Sequence, residues 1–139
     1  VLQAHPNFML VLSYNPGYQS VVKDLKQSTK QRFASIDFVH PSQDVETEII
    51  RTETDLDVET SAKLAEMGSK IRELKGFGLD EGVSSRLLVY AGQLMGQGLS
   101  AVDACTYAIA RTLTDEPDVY KSILDIVNLY FGEYMEETD

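Results

Sequence analysis

A segment near the start of the sequence, SYNPGYQSVVKDLKQSTKQRF (13–33), carries residue types that suit phosphate chemistry. Asn15 follows closely on an apolar run, Phe8–Leu12, which predicts a buried strand, and Arg32 ends the basic half of the segment. A side-chain amide both donates and accepts hydrogen bonds, whereas a guanidinium is a planar fork of donors. An amide at the tip of a buried strand and an arginine at the end of a short helix suit an edge that handles phosphate.

Both residues also have a purely structural interpretation. Asn15 precedes Pro16-Gly17, a combination that favours turns. Arg32 at the end of a helix would stabilise the dipole of that helix. The segment alone therefore leaves the choice between phosphate chemistry and local structure open.

Charge is distributed unevenly along the chain. Residues 1–40 carry four cations against two acids, whereas the remainder carries 8 cations against 20 acids, within a net charge of −10. So acidic a body makes nucleic acid an unsuitable partner. The basic patch suits an anionic ligand or an acidic partner, and its alternative is a solvated helix face.

Composition is that of a soluble globular protein, with 43% hydrophobic and 24% charged residues among 139. No apolar run approaches the roughly 20 residues that span a bilayer, so we expect no membrane insertion. The single cysteine, Cys105, excludes an internal disulfide framework and favours a cytoplasmic location. His5 and His40 lack a third ligand at metal spacing, so no metal site is predicted.

The elements that would position these residues begin with two strands. Phe8–Leu12 is a continuous apolar run, as in a parallel sheet covered on both faces, and Ala34–Val39 alternates like a half-buried strand. The intervening Val21–Arg32 is predicted to be partly helical. Two strands do not make a stable sheet alone, so the first forty residues look like the trailing edge of an α/β domain.

From Ser42 onward the pattern is helical. About five helices are predicted, with starts marked by residues that cap or precede a first turn: Ser42, Asp57, Ser84, Ser100 and Asp115. Their expected ranges are 43–53, 58–75, 85–97, 101–113 and 117–131. The predicted fold class is therefore α+β and mostly α, divided into residues 1–41 and a helical domain over residues 42–139.

Three motifs in order carry a family resemblance: FMLVLSYNPGY, LKQSTKQRF and GVSSRLLVYAGQL. They resemble the second half of the CbbQ/NorQ branch of the MoxR-type AAA+ ATPases, over about Ala4–Phe131. The resemblance implies that residues 1–41 end a nucleotide-binding α/β domain and that residues 42–139 form the helical lid. It also implies a hexameric ring of subunits with ATP at the interfaces.

The resemblance assigns a role to three residues. Asn15 matches the first sensor beside the γ-phosphate, and Arg32 matches the arginine finger that reaches the neighbouring subunit's ATP. Arg86 matches the second sensor, near the start of a lid helix and directed at its own subunit's nucleotide. A cation near a helix N-terminus is disfavoured by the dipole, which favours a role for Arg86 elsewhere, and the alternative is a surface arginine.

Part of the expected ATPase machinery has no counterpart in the sequence. No G-x-x-x-x-G-K-[ST] motif occurs, and neither does the acidic strand end that would hold Mg²⁺. In the family both lie upstream, so we expect ATP and Mg²⁺ to be cofactors of the full-length protein. The chain by itself is expected to bind neither and to show no ATP turnover.

The resemblance implies ATP-driven activation or remodelling of a client enzyme, either Rubisco or a nitric oxide or related respiratory reductase. A protein with a von Willebrand A domain is the implied partner. The alternatives are a non-catalytic helical interaction module and an unrelated acidic helical bundle. A Walker A loop upstream of Val1 would decide for the ATPase, and a gene that starts near Val1 would decide for the module.

One structural prediction concerns the strands. In AAA+ sheets the two strands flank the phosphate-loop strand and do not pair with each other. Without that strand, Phe8–Leu12 and Ala34–Val39 are expected to re-pair or to borrow a partner from another chain, which would give a strand-mediated dimer.

Overall fold

The computed structural model describes residues 1–13 and 27–132. The chain divides into two units, Val1–Phe38 and Val39–Asp139. The division falls close to the predicted boundary after residue 41, while the identity of the two parts as AAA+ domains stays a prediction. None of the helices in the described ranges combines the length and apolar content needed to cross a bilayer.

The first unit does not show the predicted strands. Phe8–Leu12 forms no β-bridge with another described residue, and its five residues are between 49% and 81% exposed. Ala34–Val39 is likewise not a strand, and Ile36 and Phe38 are 79% and 93% exposed. The expected burial is therefore wrong for this chain by itself, because a strand needs neighbours for its backbone bonds and for its apolar faces. Re-pairing within the chain is not observed, and pairing with a second chain stays a prediction.

The first unit contains one short helix in its described part, α1, Gln27–Lys30. A turn follows directly, in which the Arg32 amide donates to the Thr29 carbonyl and the Phe33 amide to the Lys30 carbonyl, both at 3.1 Å. A short helix within the predicted partly helical Val21–Arg32 is thus present, but it ends at Lys30, so Arg32 lies in the turn after it.

The second unit is helical throughout its described part. Its elements are α2 Gln43–Glu53, α3 Val58–Arg72, α4 Ser85–Gly96, α5 Ala101–Cys105, a π-helical turn Thr106–Ala110, α6 Arg111–Leu113 and α7 Pro117–Phe131. α3 lies at the centre, packed against α2, α4 and α7. The predicted helices are thus present, with α5, the π-turn and α6 forming the single helix expected over 101–113.

Helix starts follow the capping residues that the sequence marks. The side chain of Asp57 accepts a hydrogen bond from the Thr60 amide at 2.8 Å. In the same way Ser84 accepts from the Leu87 amide at 3.4 Å, and Ser100 from the Asp103 amide at 3.1 Å. Each such bond satisfies an amide that has no partner inside its own helix. Ser42 precedes α2 without a side-chain capping bond, and α7 follows Glu116 and not Asp115.

The core lies between α2, α3, α4, the π-turn and α7. Its fully buried members include residues at helical spacing: Leu64, Met67, Ile71, Leu88, Ala91, Cys105, Ile109, Ile123 and Val127. Leu74, Leu87, Leu94, Met95 and Val102 are half-buried and pack against this cluster. Burial of apolar side chains at helical spacing therefore holds the second unit together.

Candidate functional site

Arg86 is the second residue of α4 and is exposed to solvent. With the other described residues its guanidinium makes no hydrogen bond and no ion pair. A cation at this end of a helix faces the positive end of the helix dipole, so its own helix does not stabilise it. Arg86 therefore presents a free fork of donors at a fixed place in the second unit.

A buried polar cluster, formed by Glu46, Arg72 and Ser85, lies immediately next to Arg86. Arg72 Nη1 and Nη2 donate to Glu46 Oε2 and Oε1 at 2.8 and 2.6 Å, a bidentate pair. Ser85 Oγ donates to the same Oε1 at 2.6 Å. The Glu46 side chain is only 1% exposed and that of Arg72 only 14%, so the charges are held away from water. Together the three residues tie α2, the end of α3 and the start of α4 to one another.

Arg72 also fixes the backbone that leads into α4. Its Nε donates to the Val83 carbonyl at 2.8 Å, so each of the three guanidinium nitrogens has a hydrogen-bond acceptor. Nearby, partial burial and then the positive charge of Arg72 lower the pKa of His40 from its ordinary value. The charge of Arg72 therefore also acts on His40.

Sequence reasoning missed the Glu46–Arg72–Ser85 cluster. One signal was present, because Glu46 stands four residues before Ile50 and therefore shares its core-facing side of α2. An acidic residue on an apolar face calls for a buried cation, but the partner lies 26 residues along the chain and no local pattern identifies it. The sequence instead favoured Glu46 as a first-turn charge that interacts with the helix dipole.

The other two predicted site residues, Asn15 and Arg32, belong to the first part of the chain. Arg32 is exposed in the turn after α1, in the first unit, whereas Arg86 belongs to the second. Asn15 lies outside the described residues. The roles of Asn15, Arg32 and Arg86 toward a nucleotide therefore stay predictions.

Cys105 is excluded from the chemistry of the site by its burial. It is 0% exposed at the end of α5, and burial raises the pKa of its thiol to about 12. Because the thiolate is the reactive form, the folded protein should present about one ten-thousandth of its thiol as thiolate at pH 8. We expect a maleimide to label Cys105 in urea but hardly at all in buffer, as measured by mass spectrometry. Rapid labelling of the chain with its helical circular dichroism intact would contradict this prediction.

Comparison with known proteins places these observations in a family. The model of the CbbQ/NirQ/NorQ C-terminal domain matches residues 46–130, which is more than half of the chain and includes Glu46, Arg72, Ser85 and Arg86. This chain belongs to the CbbQ/NirQ/NorQ family. The resemblance inferred from the three sequence motifs is thereby confirmed.

Individual relatives agree with the family match. Protein CbbQ of Hydrogenophilus thermoluteolus is 54% identical over 119 residues, which cover 86% of this chain and 45% of that protein. Protein NorQ of Paracoccus denitrificans is 44% identical over 131 residues, covering 94% and 48%. The denitrification regulatory protein NirQ of Pseudomonas aeruginosa is 41% identical over 129 residues, covering 93% and 50%. The chain thus spans about half the length of the curated relatives it matches.

Proposed function

We propose that this chain forms the C-terminal portion of a MoxR-type AAA+ ATPase in which Arg86 binds the nucleotide from the helical lid. The observation that carries the proposal is that Arg86 is exposed and has no hydrogen-bond or ion-pair partner among the described residues, at the start of a helix that is capped and tied to α2. Arg72, by contrast, has the Glu46 carboxylate and the Val83 carbonyl as partners. Membership of the CbbQ/NirQ/NorQ family supports the same role.

The chemistry of the donor fits a phosphate ligand. A guanidinium binds phosphate oxygens in a bidentate manner, and its charge does not change at any physiological pH. ATP with Mg²⁺ supplies the phosphoryl group that is transferred. The sequence contains no G-x-x-x-x-G-K-[ST] motif and no acidic strand end, so we place the phosphate cradle and the Mg²⁺ ligands outside this sequence.

In the proposed assembly the full-length subunits form a hexameric ring in the cytoplasm with one ATP at each interface. Asn15 contacts its own subunit's nucleotide, and Arg32 contacts the neighbour's. Hydrolysis drives activation of a client enzyme together with a partner that carries a von Willebrand A domain. The client proposed from the family resemblance is either Rubisco or a nitric oxide or related respiratory reductase, and the relative named denitrification regulatory protein NirQ is in keeping with the second.

The direct test replaces Arg86 by alanine in the full-length protein. We expect kcat/KM for ATP to fall by about ten- to a hundredfold, because a hydrogen bond to a charged group contributes about 1.5–3 kcal/mol and 1.4 kcal/mol is a factor of ten. Phosphate release measured at varied ATP concentration gives this value. The matched control is Lys121→Ala, which removes an exposed cation from α7 of the same unit and should leave the rate unchanged. Equal rates for Arg86→Ala and the wild type would exclude the proposed role of Arg86.

A further inference from the structure

Each of the three residues before Arg86 makes a hydrogen bond that involves a side chain. The Val83 carbonyl accepts from Arg72, Ser84 caps α4, and the Ser85 hydroxyl donates to Glu46. Such a run of contacts fixes the path of the backbone into α4. The Cα of the next residue, Arg86, has little freedom to move as a result.

The Ser85 hydrogen bond differs from an ordinary surface contact. Its acceptor is a carboxylate oxygen that is buried and already ion-paired, and the 2.6 Å distance is typical of a charge-assisted bond between a hydroxyl and a carboxylate. Glu46 lies on α2 and Arg72 on α3, so the bond couples the start of α4 to two other helices. A single capping bond within α4 would not do this.

We propose that Ser85, through its bond to the Glu46–Arg72 ion pair, is a positioning residue that sets where Arg86 meets the nucleotide. This inference rests on the proposed function of Arg86. A reacting group must be held close to its productive place, since a displacement of about 1 Å lowers the rate by about a hundredfold. Ser85 itself touches no phosphate in this scheme.

Ser85 is a better probe of this role than Glu46 or Arg72. Removal of the serine hydroxyl leaves the bidentate Glu46–Arg72 pair intact, so no buried charge loses its counter-ion. Alanine also has the highest intrinsic helix propensity. The variant Ser85→Ala should therefore fold and assemble like the wild type while α4 loses its tether to α2.

The test is a double-mutant cycle in the full-length protein, using Ser85→Ala, Arg86→Ala and the combined variant. We expect Ser85→Ala to lower kcat/KM for ATP by about tenfold in the wild-type background and not at all in the Arg86→Ala background. A residue that acts only through Arg86 has nothing to position once that side chain is gone. A merely structural role would lower the rate by the same factor in both backgrounds.

Two further variants complete the experiment. Ser61→Ala removes a buried serine hydroxyl of the same unit, one without a hydrogen-bond partner among the described residues, and should leave kcat/KM unchanged in either background. Ser85→Thr keeps the donor and should restore most of the rate. The inference is overturned if Ser85→Ala keeps the wild-type kcat/KM while Arg86→Ala lowers it, or if the two effects multiply. Loss of neither rate would instead refute the proposed function of Arg86, and the positioning role with it.

Discussion

Replacement of Arg32 by alanine in the full-length protein should lower ATP turnover by about 10³- to 10⁵-fold, the effect typical of an arginine finger. The transition state of phosphoryl transfer spreads negative charge over several oxygens, and a guanidinium fork stabilises that charge. Arg32 is exposed in the turn that follows α1, so its side chain is free to reach another subunit. The rate of phosphate release measures the effect, with binding of ATP followed separately.

Mixing two impaired variants tests whether Arg32 acts on a neighbour. An Arg32→Ala subunit keeps Arg86 for its own nucleotide, and an Arg86→Ala subunit keeps Arg32 for the next subunit. In a random mixture, about a quarter of the interfaces of a cyclic ring should combine both intact residues, so about a quarter of the wild-type rate should return. Arginines that served the same subunit's nucleotide would restore nothing.

The controls for this experiment come from the same chain. Lys30→Ala removes the exposed cation at the end of α1 and should keep nearly the wild-type turnover. A subunit that carries both Arg32→Ala and Arg86→Ala should not complement either single variant. Full turnover by Arg32→Ala alone would contradict the assignment of Arg32 as the arginine finger.

Local patterns predicted the helical unit well because its elements are specified locally. Asp57, Ser84 and Ser100 mark helix starts through bonds to amides three residues away, and the buried stripes follow the helical period. Gly76 and Gly78, predicted to end a helix, have φ of +89° and +97° in the turn after α3. Only glycine adopts such values without strain, so the sequence identifies the turn.

Features that depend on distant residues were not predictable in the same way. The apolar run Phe8–Leu12 has the composition of a buried strand, but burial requires partner strands and covering helices that local composition does not supply. The π-turn in the predicted helix 101–113 is another case. Thr106 and Thr112 hydroxyls donate to backbone carbonyls in this region, at 2.7–2.9 Å, but Thr47 and Thr52 do the same in the regular helix α2, so these bonds alone do not specify the π-turn.

The candidate site shows the same division. The sequence marks Arg86 as a candidate because it stands in a short recognisable motif, SSR, at a helix start. The sequence does not mark the Glu46–Arg72–Ser85 cluster that holds this start, because the members of the cluster come from three helices. A bidentate pair so deeply buried has a measurable consequence for stability.

Replacement of Glu46 by alanine should destabilise the helical unit by about 3–5 kcal/mol, because it leaves the Arg72 charge buried without a counter-ion. Such a loss is comparable with the whole stability of a small domain, about 5–15 kcal/mol. Urea unfolding of the chain, followed by far-ultraviolet circular dichroism, measures it. Most of the described helix lies in this unit, so the signal reports on it directly.

An exposed pair of the same residue types provides the matched control. Glu48 and Arg51 lie about one turn apart on the same helix α2 and form a bidentate contact at 2.7 and 3.0 Å. Their side chains are 61% and 46% exposed. Water solvates each charge when its partner is removed, so Glu48→Ala should barely change the unfolding midpoint. The difference in stability between Glu46→Ala and Glu48→Ala would then be due to the burial of the ion pair.

The combined variant Glu46→Leu/Arg72→Met decides whether the cost of Glu46→Ala is that of an unpaired charge. Two apolar side chains of similar volume leave no charge without a partner, so this variant should be more stable than Glu46→Ala. A double variant less stable than Glu46→Ala would contradict the explanation from an unpaired charge. Because Ser85 loses its acceptor in the double variant, the same protein should fold yet, in its full-length form, hydrolyse ATP slowly. This variant would thereby distinguish the effect of the ion pair on stability from its effect on the position of Arg86.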